Sequence, residues 1–185
     1  PAGRRDHRLP PEGRRQALRY ALLHWRFFDR FVTAETSWLA ADNFQETPEP
    51  VAAMRPSPTS ICLHLLATVS ARDLGFLTLD EMTRRLELAF RSLERMRRFR
   101  GHFYNWYDLR DLNVLEPAYV STVDSGNLAG HLIALRQACL ALVDEPVLDA
   151  RLWRALETAL ALADERLRDL APAHTAGEYL RAARA

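Results

Sequence analysis

Apolar residues recur at intervals of three and four along most of this chain, a spacing that predicts helices nearly throughout. A first helix is expected from Pro10-Pro11-Glu12 to about Thr33, with Leu18, Leu22, Trp25, Phe28 and Val32 on one face. After a polar, proline-bearing stretch from Glu35 to Pro58, Thr59 or Ser60 can cap a second helix. It carries Ile61, Leu65, Leu66 and Val69 and ends near Gly75. Thr78-x-x-Glu81 has the form of a capping box and opens a third helix with Met82, Leu86, Phe90 and Leu93 on one face. A fourth helix, from near Ser125, carries Leu128, Leu132, Leu135 and Cys139. The turn Asp144-Glu145-Pro146 separates it from a fifth, Val147 to Leu170. Thr175-x-x-Glu178 opens a last helix that the chain end cuts short. No strand is expected; Pro117 to Val123 is the one β-leaning run, and it is short.

Long and short connections therefore alternate, which describes antiparallel helical hairpins with both long loops at one end. Loops of about 20 residues are uncommon in compact domains unless they carry function. The first contains Trp38, Asp42, Asn43, Gln45 and Glu46: an indole, two carboxylates and two amides. The second runs from Arg100 to Asp124 and packs Phe103, Tyr104, Asn105, Trp106, Tyr107 and Asp108 together. Rings serving a helical core would recur on a helical period, and these do not. A third polar group, the run Ser121 to Asn127 with Asp124, Ser125 and Asn127, sits at the start of the fourth helix. Sugar recognition needs this mixture, because C–H faces stack on rings while paired donors and acceptors bond vicinal hydroxyls. Trp106 or Tyr104 would be the platform, with Asp42 and Asp124 as hydroxyl acceptors. Each group also has a plainer reading: Asp124 or Ser125 as a helix cap, Asp42-Asn43 as a turn, Trp38 as packing beneath the loop. Asp108, a carboxyl among rings, is the residue whose pKa could be raised enough for acid chemistry.

Composition narrows the classes. The 185 residues fit one helical segment spanning 1–185, with residues 1–10 as a boundary tail. A formal charge of +1 argues against bulk electrostatic binding to nucleic acid or to a membrane surface. Arg95, Arg97, Arg98 and Arg100 do precede the aromatic loop, as in a single-strand stacking groove, which leaves nucleic acid as a rival reading. A ligand-free helical scaffold or self-association segment is another. Every Lys+Arg residue is arginine, the mark of a GC-rich genome rather than of a mechanism. Cys62 and Cys139 read as two buried thiols. His7, His24, His64, His102, His131 and His174 lack metal-ligand spacing, so neither metal nor cofactor is expected. No apolar run approaches the roughly 18 residues that span a bilayer.

Several runs, in this order, resemble the cyclic β-1,2-glucan synthase family. They are Trp25 to Phe28, Trp38 to Glu46 followed by Pro48 to Val51, Ser57-Pro58-Thr59, Gly101 to Asp108 with Arg110 to Leu112, and Tyr119 to Gly130. They are similar to the beginning of its glucoamylase-like transglycosylation domain, over roughly Pro10 to Leu142. The chain departs from the family pattern at Ala40-Ala41, where prolines are usual, and at Ser60, where Asn is usual; the first change is expected to loosen the loop. The resemblance implies an all-α fold, a partial (α/α)6 toroid of about half a twelve-helix barrel. It implies a fragment that handles β-1,2-glucan in a parent enzyme that closes the glucan into a ring. The 13 residues from Trp38 to Asn127 named above would line the cleft. The family's two catalytic glutamates would lie C-terminal to this chain, leaving it inactive alone. Its partners would be the glucan and the rest of the synthase, and its setting a soluble, cytoplasm-facing part of a bacterial inner-membrane protein.

Overall fold

The computed structural model describes residues 9–148 and 150–170. The expected helix opened by Thr175 and Glu178, most of the 1–10 tail, His7 and His174 lie outside the described residues. Five helices carry the architecture: α1 (Pro11–Phe31), α2 (Pro58–Asp73), α3 (Leu79–Arg95), α4 (Thr122–Ala141) and α5 (Ala150–Leu170). Two small antiparallel ladders, β1 (Phe44–Gln45) with β2 (Val51–Ala52) and β3 (Arg98–Phe99) with β4 (His102–Phe103), sit within the two long connections. The absence of strands expected from the sequence is thus corrected, though each ladder is only a pinched loop.

Each helix begins where local chemistry satisfies its free N–H groups. Pro11 occupies the first turn of α1, where a missing N–H costs nothing. Ser57, not Thr59 or Ser60, caps α2: its Oγ accepts the Ser60 N–H at 3.1 Å, and Ser60 Oγ accepts the Ser57 N–H at 2.7 Å. Thr78 caps α3 as expected, accepting the Glu81 N–H at 3.2 Å. Ser121 caps α4, which therefore starts three residues earlier than the expected Ser125.

Pairings at both ends show that α2 and α4 lie side by side and parallel. Near their N-termini Asn127 Nδ2 donates to Thr59 Oγ1 at 3.1 Å. At the opposite end Arg72, buried on α2, pairs with Glu145 just beyond α4. The α2–α3 turn is short, so α3 runs back antiparallel to α2 against its other side. α1 also packs on α2, and α5 runs along α1, tied by Arg19 Nη2 to Glu165 at 2.7 Å. Both long loops consequently emerge at the end where α2 and α4 begin, as the alternation of loop lengths predicts.

The core collects Trp25, Ile61, Cys62, Leu65, Val69, Met82, Leu86, Leu93, Leu128 and Leu135 around α2. Ala40 and Ala41 belong to the buried set as well, at 1% and 0% exposure. These small side chains sit in the packed interior beneath the loop. Cys139 is exposed, so only Cys62 is the buried thiol expected. Gly75 closes the α2–α3 turn with φ +85°, and a Cβ there would lie 2.2 Å from the Arg151 carbonyl oxygen. Only glycine admits both the left-handed backbone and the close passage of α5.

His64 lies inside this core, stacked on Phe28 with ring centroids 5.8 Å apart. Burial, helped by the positive charge of Arg85, pushes its imidazole down to about 4. Its folded pKa is below the ordinary value of about 6.5, so the neutral ring contributes stability fully present above that value. Protonation of the unfolded chain then removes it as pH falls from about 6.5 toward 4. Urea midpoints measured across that window are expected to decline in the native chain and to decline less in His64→Leu. Equal slopes would contradict a neutral buried imidazole.

Candidate functional site

Two parallel helix N-termini placed side by side concentrate unsatisfied N–H groups and the positive ends of two dipoles. The sequence meets them with Ser57, Thr59, Ser121 and Asp124. Asp124 N–H donates to the capping Ser121 Oγ at 3.2 Å, while the Ser121 hydroxyl donates back to Asp124 Oδ2. Burial works against ionising Asp124, yet hydrogen bonds from Ser121, Thr59 and Ser57 outweigh it and hold the carboxyl below its ordinary value. Asp124 is thus a carboxylate that joins the two helix starts.

The aromatic loop passes directly over this junction. Asn105 is 5% exposed and lies at the centre of the polar contacts. With its amide oxygen turned toward the two donors, Asn105 accepts from Tyr119 Oη at 2.7 Å and from Trp106 Nε1 at 2.8 Å. Its nitrogen then donates to Asp124 Oδ2 at 3.2 Å. The opposite orientation would set the amide oxygen against the Asp124 carboxylate. The Arg55 guanidinium lies over the Trp106 ring, 4.6 Å from its centroid. Backbone bonds knit the two long loops: Leu109 N–H donates to Met54 O at 3.1 Å, and Ser37 Oγ to Leu109 O at 2.6 Å.

Of the residues expected at the site, Asn105, Trp106, Asp124 and Asn127 form one connected group. Ser125 lies one residue along α4 from Asp124, with a buried hydroxyl that has no hydrogen-bond partner. Tyr104 is half-buried beside the group, with Arg97 over its ring at 4.9 Å. The others go elsewhere. Tyr107 is wholly buried: its hydroxyl donates to Arg97 O at 2.6 Å and accepts the Tyr104 N–H at 2.7 Å, so it is a core post rather than a cleft residue. Asp108 closes a turn, accepting from the Arg110 N–H and guanidinium. Those bonds from Arg110 take it down to about 2, against the expected upward shift, because its carboxyl meets a cation and an N–H instead of ring faces. Trp38 lies partly buried with Arg84 of α3 over its ring at 5.7 Å, on the α3 side of the loop. Asp42 accepts from Asn43 Nδ2 at 3.0 Å, and Asn43, Gln45 and Glu46 are exposed on the β1–β2 ladder and its approach.

Sequence reasoning did not place Arg55, Ser57, Thr59 or Tyr119 in this group, whereas Ser121 belonged to the expected polar run at the start of the fourth helix. The Ser-Pro-Thr run at 57–59 signalled only a helix start, and Arg55 reaches Trp106 across loops, a contact with no local signature. Among the described residues, no group of His, Cys, Asp and Glu is placed to hold a metal ion. A groove of about 630 Å³ lies elsewhere, between α3 and the far end of α4, lined chiefly by Leu79, Met82, Leu86, Phe90, Leu142 and Val143. Its lining is mainly apolar, whereas the polar group forms an open surface at the other end of α4.

Helical hairpins with their long loops gathered over the paired N-termini of α2 and α4 make an all-α fold of the glucoamylase-like kind. A protein described as a glucoamylase from Bacteroides fragilis superimposes with a TM-score of 0.57 at 16% identity, over 84% of this chain and 36% of that one. The endo-β-1,2-glucanase of Chitinophaga pinensis, solved with sophorotriose and glucose, gives 0.55 at 15% identity over 82% and 36% of the two chains. In sequence, 122 residues, 66% of this chain, are 52% identical to the cyclic beta-(1,2)-glucan synthase NdvB of Rhizobium meliloti. Over that stretch the chain is similar to this synthase, and it spans 4% of the length of NdvB. No protein-family model matches it.

Because Asp124 serves both helix starts, Asp124→Asn is expected to lower stability at neutral pH by about 1–2 kcal/mol. The folded pKa of Asp124 is depressed, so its contribution is present above the ordinary carboxylate range and is lost as pH falls through it. Denaturation of the two forms should therefore converge toward acid pH. A constant gap would show that the charge is irrelevant.

Proposed function

We propose that this chain is part of the helical domain of a cyclic β-1,2-glucan synthase that handles the glucan, and that it forms one wall of the cleft. The observation that carries this reading is the connected group Trp106–Asn105–Asp124–Asn127 over the starts of α2 and α4. It offers one ring platform and several fixed donors and acceptors to a hydroxyl-rich, uncharged ligand. The relationship to NdvB and the fold shared with an endo-β-1,2-glucanase support the same substrate class.

Ring closure without net hydrolysis requires a carboxylate nucleophile and a second carboxyl that serves as acid, then base. A general acid of that kind needs a raised pKa. Asp108 and Asp124 are both displaced downward and committed to neighbouring hydrogen bonds. The residues described here bind and orient, and the catalytic pair belongs to other parts of the parent enzyme. No described helix is long and apolar enough to cross a membrane. The cytoplasmic side of the parent is the setting proposed for it. Sophorotriose titrated into the full chain is expected to bind, and Trp106→Ala to weaken it roughly tenfold, the value of one lost stacking contact. Unchanged affinity would remove the platform; ring closure or hydrolysis by the purified chain would refute its catalytic silence.

A second reading has its own observation. α4 has an open apolar side: Ile133 is 66% exposed and Leu140, two turns on, 51%. Such a face is built for burial, by further helices of the parent or by a second copy. Self-association through it predicts a dimer in light scattering that Ile133→Glu converts to monomer. A monodisperse native monomer would sink this reading.

A further inference from the structure

We infer that Asn105 is a positioning residue that locks the Trp106 indole and the Asp124 carboxylate into one rigid unit. The inference rests on the cleft reading above and concerns how that cleft is built. Three observations carry it. Asn105 is buried, so its side chain presents almost nothing to a ligand. Its oxygen receives both the Trp106 indole N–H, at 2.8 Å, and the Tyr119 hydroxyl, at 2.7 Å, which fills both lone pairs. Its nitrogen donates to Asp124, and its backbone N–H donates to Tyr119 O at 2.8 Å, so the residue itself has little freedom.

Trp106 is held on two sides. Asn105 takes its polar edge, and Arg55 lies over one ring face. A sugar would therefore stack on the opposite face, whose tilt follows from the hydrogen bond to Asn105. The same amide fixes the carboxylate at the start of α4, so the distance from platform to acceptor is set by one side chain. A hydroxyl-bearing ligand is recognised by that distance. Buried amides of this kind cost free energy unless every group is paired, and here the three neighbours are what pair it.

The test uses the full chain and sophorotriose. The four tryptophans give four indole N–H resonances, and Trp106→Phe identifies the relevant one. Asn105→Ala is expected to shift that resonance, speed its exchange with solvent and weaken sophorotriose roughly tenfold. Asn105→Asp retains the acceptor for Trp106 and Tyr119 but sets a second carboxylate against Asp124. Two such groups share a proton at higher pH than either alone, and the shared proton restores the missing donor. The other charged or titratable groups facing this unit are Tyr119, Arg55 and, from α2, the Cys62 thiol, which feels the Asp124 charge. Sophorotriose affinity of Asn105→Asp should therefore recover between about pH 8 and about pH 5, while the native chain shows no such gain.

An unmoved indole resonance in Asn105→Ala overturns the inference. So does an Asn105→Asp variant equally weak at both pH values. If Asn105→Ala fails to fold, the acid recovery of Asn105→Asp decides. A shifted indole in Asn105→Ala beside full sophorotriose binding by Trp106→Ala would uphold the positioning role and overturn the cleft reading instead.

Discussion

Parallel packing of α2 against α4 is the constraint from which the rest of this end of the molecule follows. Parallel helices bring like ends together, and here the like ends are N-termini, with their free N–H groups and positive dipoles. Ser57 and Ser121 each satisfy one start, and Asp124 reaches across to the other helix. A chain that runs down one inner helix and up an outer one must then cross this end twice. The crossings are the two long loops, which accordingly have to be polar beneath and closed above. Ser37, Met54 and Leu109 supply the closure through bonds between the loops.

Within the aromatic loop the neighbouring residues divide their duties. Tyr107 descends into the core and uses its hydroxyl to hold Arg97 and Tyr104, anchoring the loop from below. Asp108 turns the chain by gripping Arg110, and the next residue, Leu109, is again fully buried. Asn105 and Trp106 directly precede these anchors and are tied by backbone bonds of their own, Asn105 N–H to Tyr119 O and Leu115 N–H to Trp106 O. The arginines contribute by stacking: Arg55, Arg97 and Arg98 each lie over a ring of this loop. Guanidinium planes suit that role better than ammonium groups would, because they are flat and more weakly hydrated.

The helices and the position of the long loops were legible because both depend on local pattern. α1 and α3 show an apolar stripe, and Thr78-x-x-Glu81 marks a start within one turn of sequence. The start of α4 was misplaced because Ser121, Asp124 and Ser125 are all plausible caps, and only the tertiary contact with Thr59 decides among them. Two-residue ladders such as Phe44 with Ala52 leave almost no periodic trace. The division of aromatic residues was also hidden, since adjacent side chains of an extended segment point opposite ways and nothing local says which is inward. Trp38 follows a left-handed Ser37 and is itself left-handed, a bend that turns it toward α3; its composition alone gave no sign of that.

The electrostatics of the junction also discriminates between ligand classes. Two exposed helix N-termini would ordinarily attract phosphate, the group that a nucleic acid or a nucleotide would offer. Here an internal carboxylate already occupies the place, ionised and hydrogen-bonded to Ser57, Thr59 and Ser121. A phosphate approaching it would meet negative charge and donors already engaged. An uncharged ligand rich in hydroxyls carries no charge for that carboxylate to repel. The arginines beside the loop do not restore an anion site, because Arg55 and Arg97 are laid on rings and Arg98 also donates to Leu93 O. The residue that builds the end of α4 thus makes this junction unfavourable to phosphate, in line with the uncharged ligand proposed above.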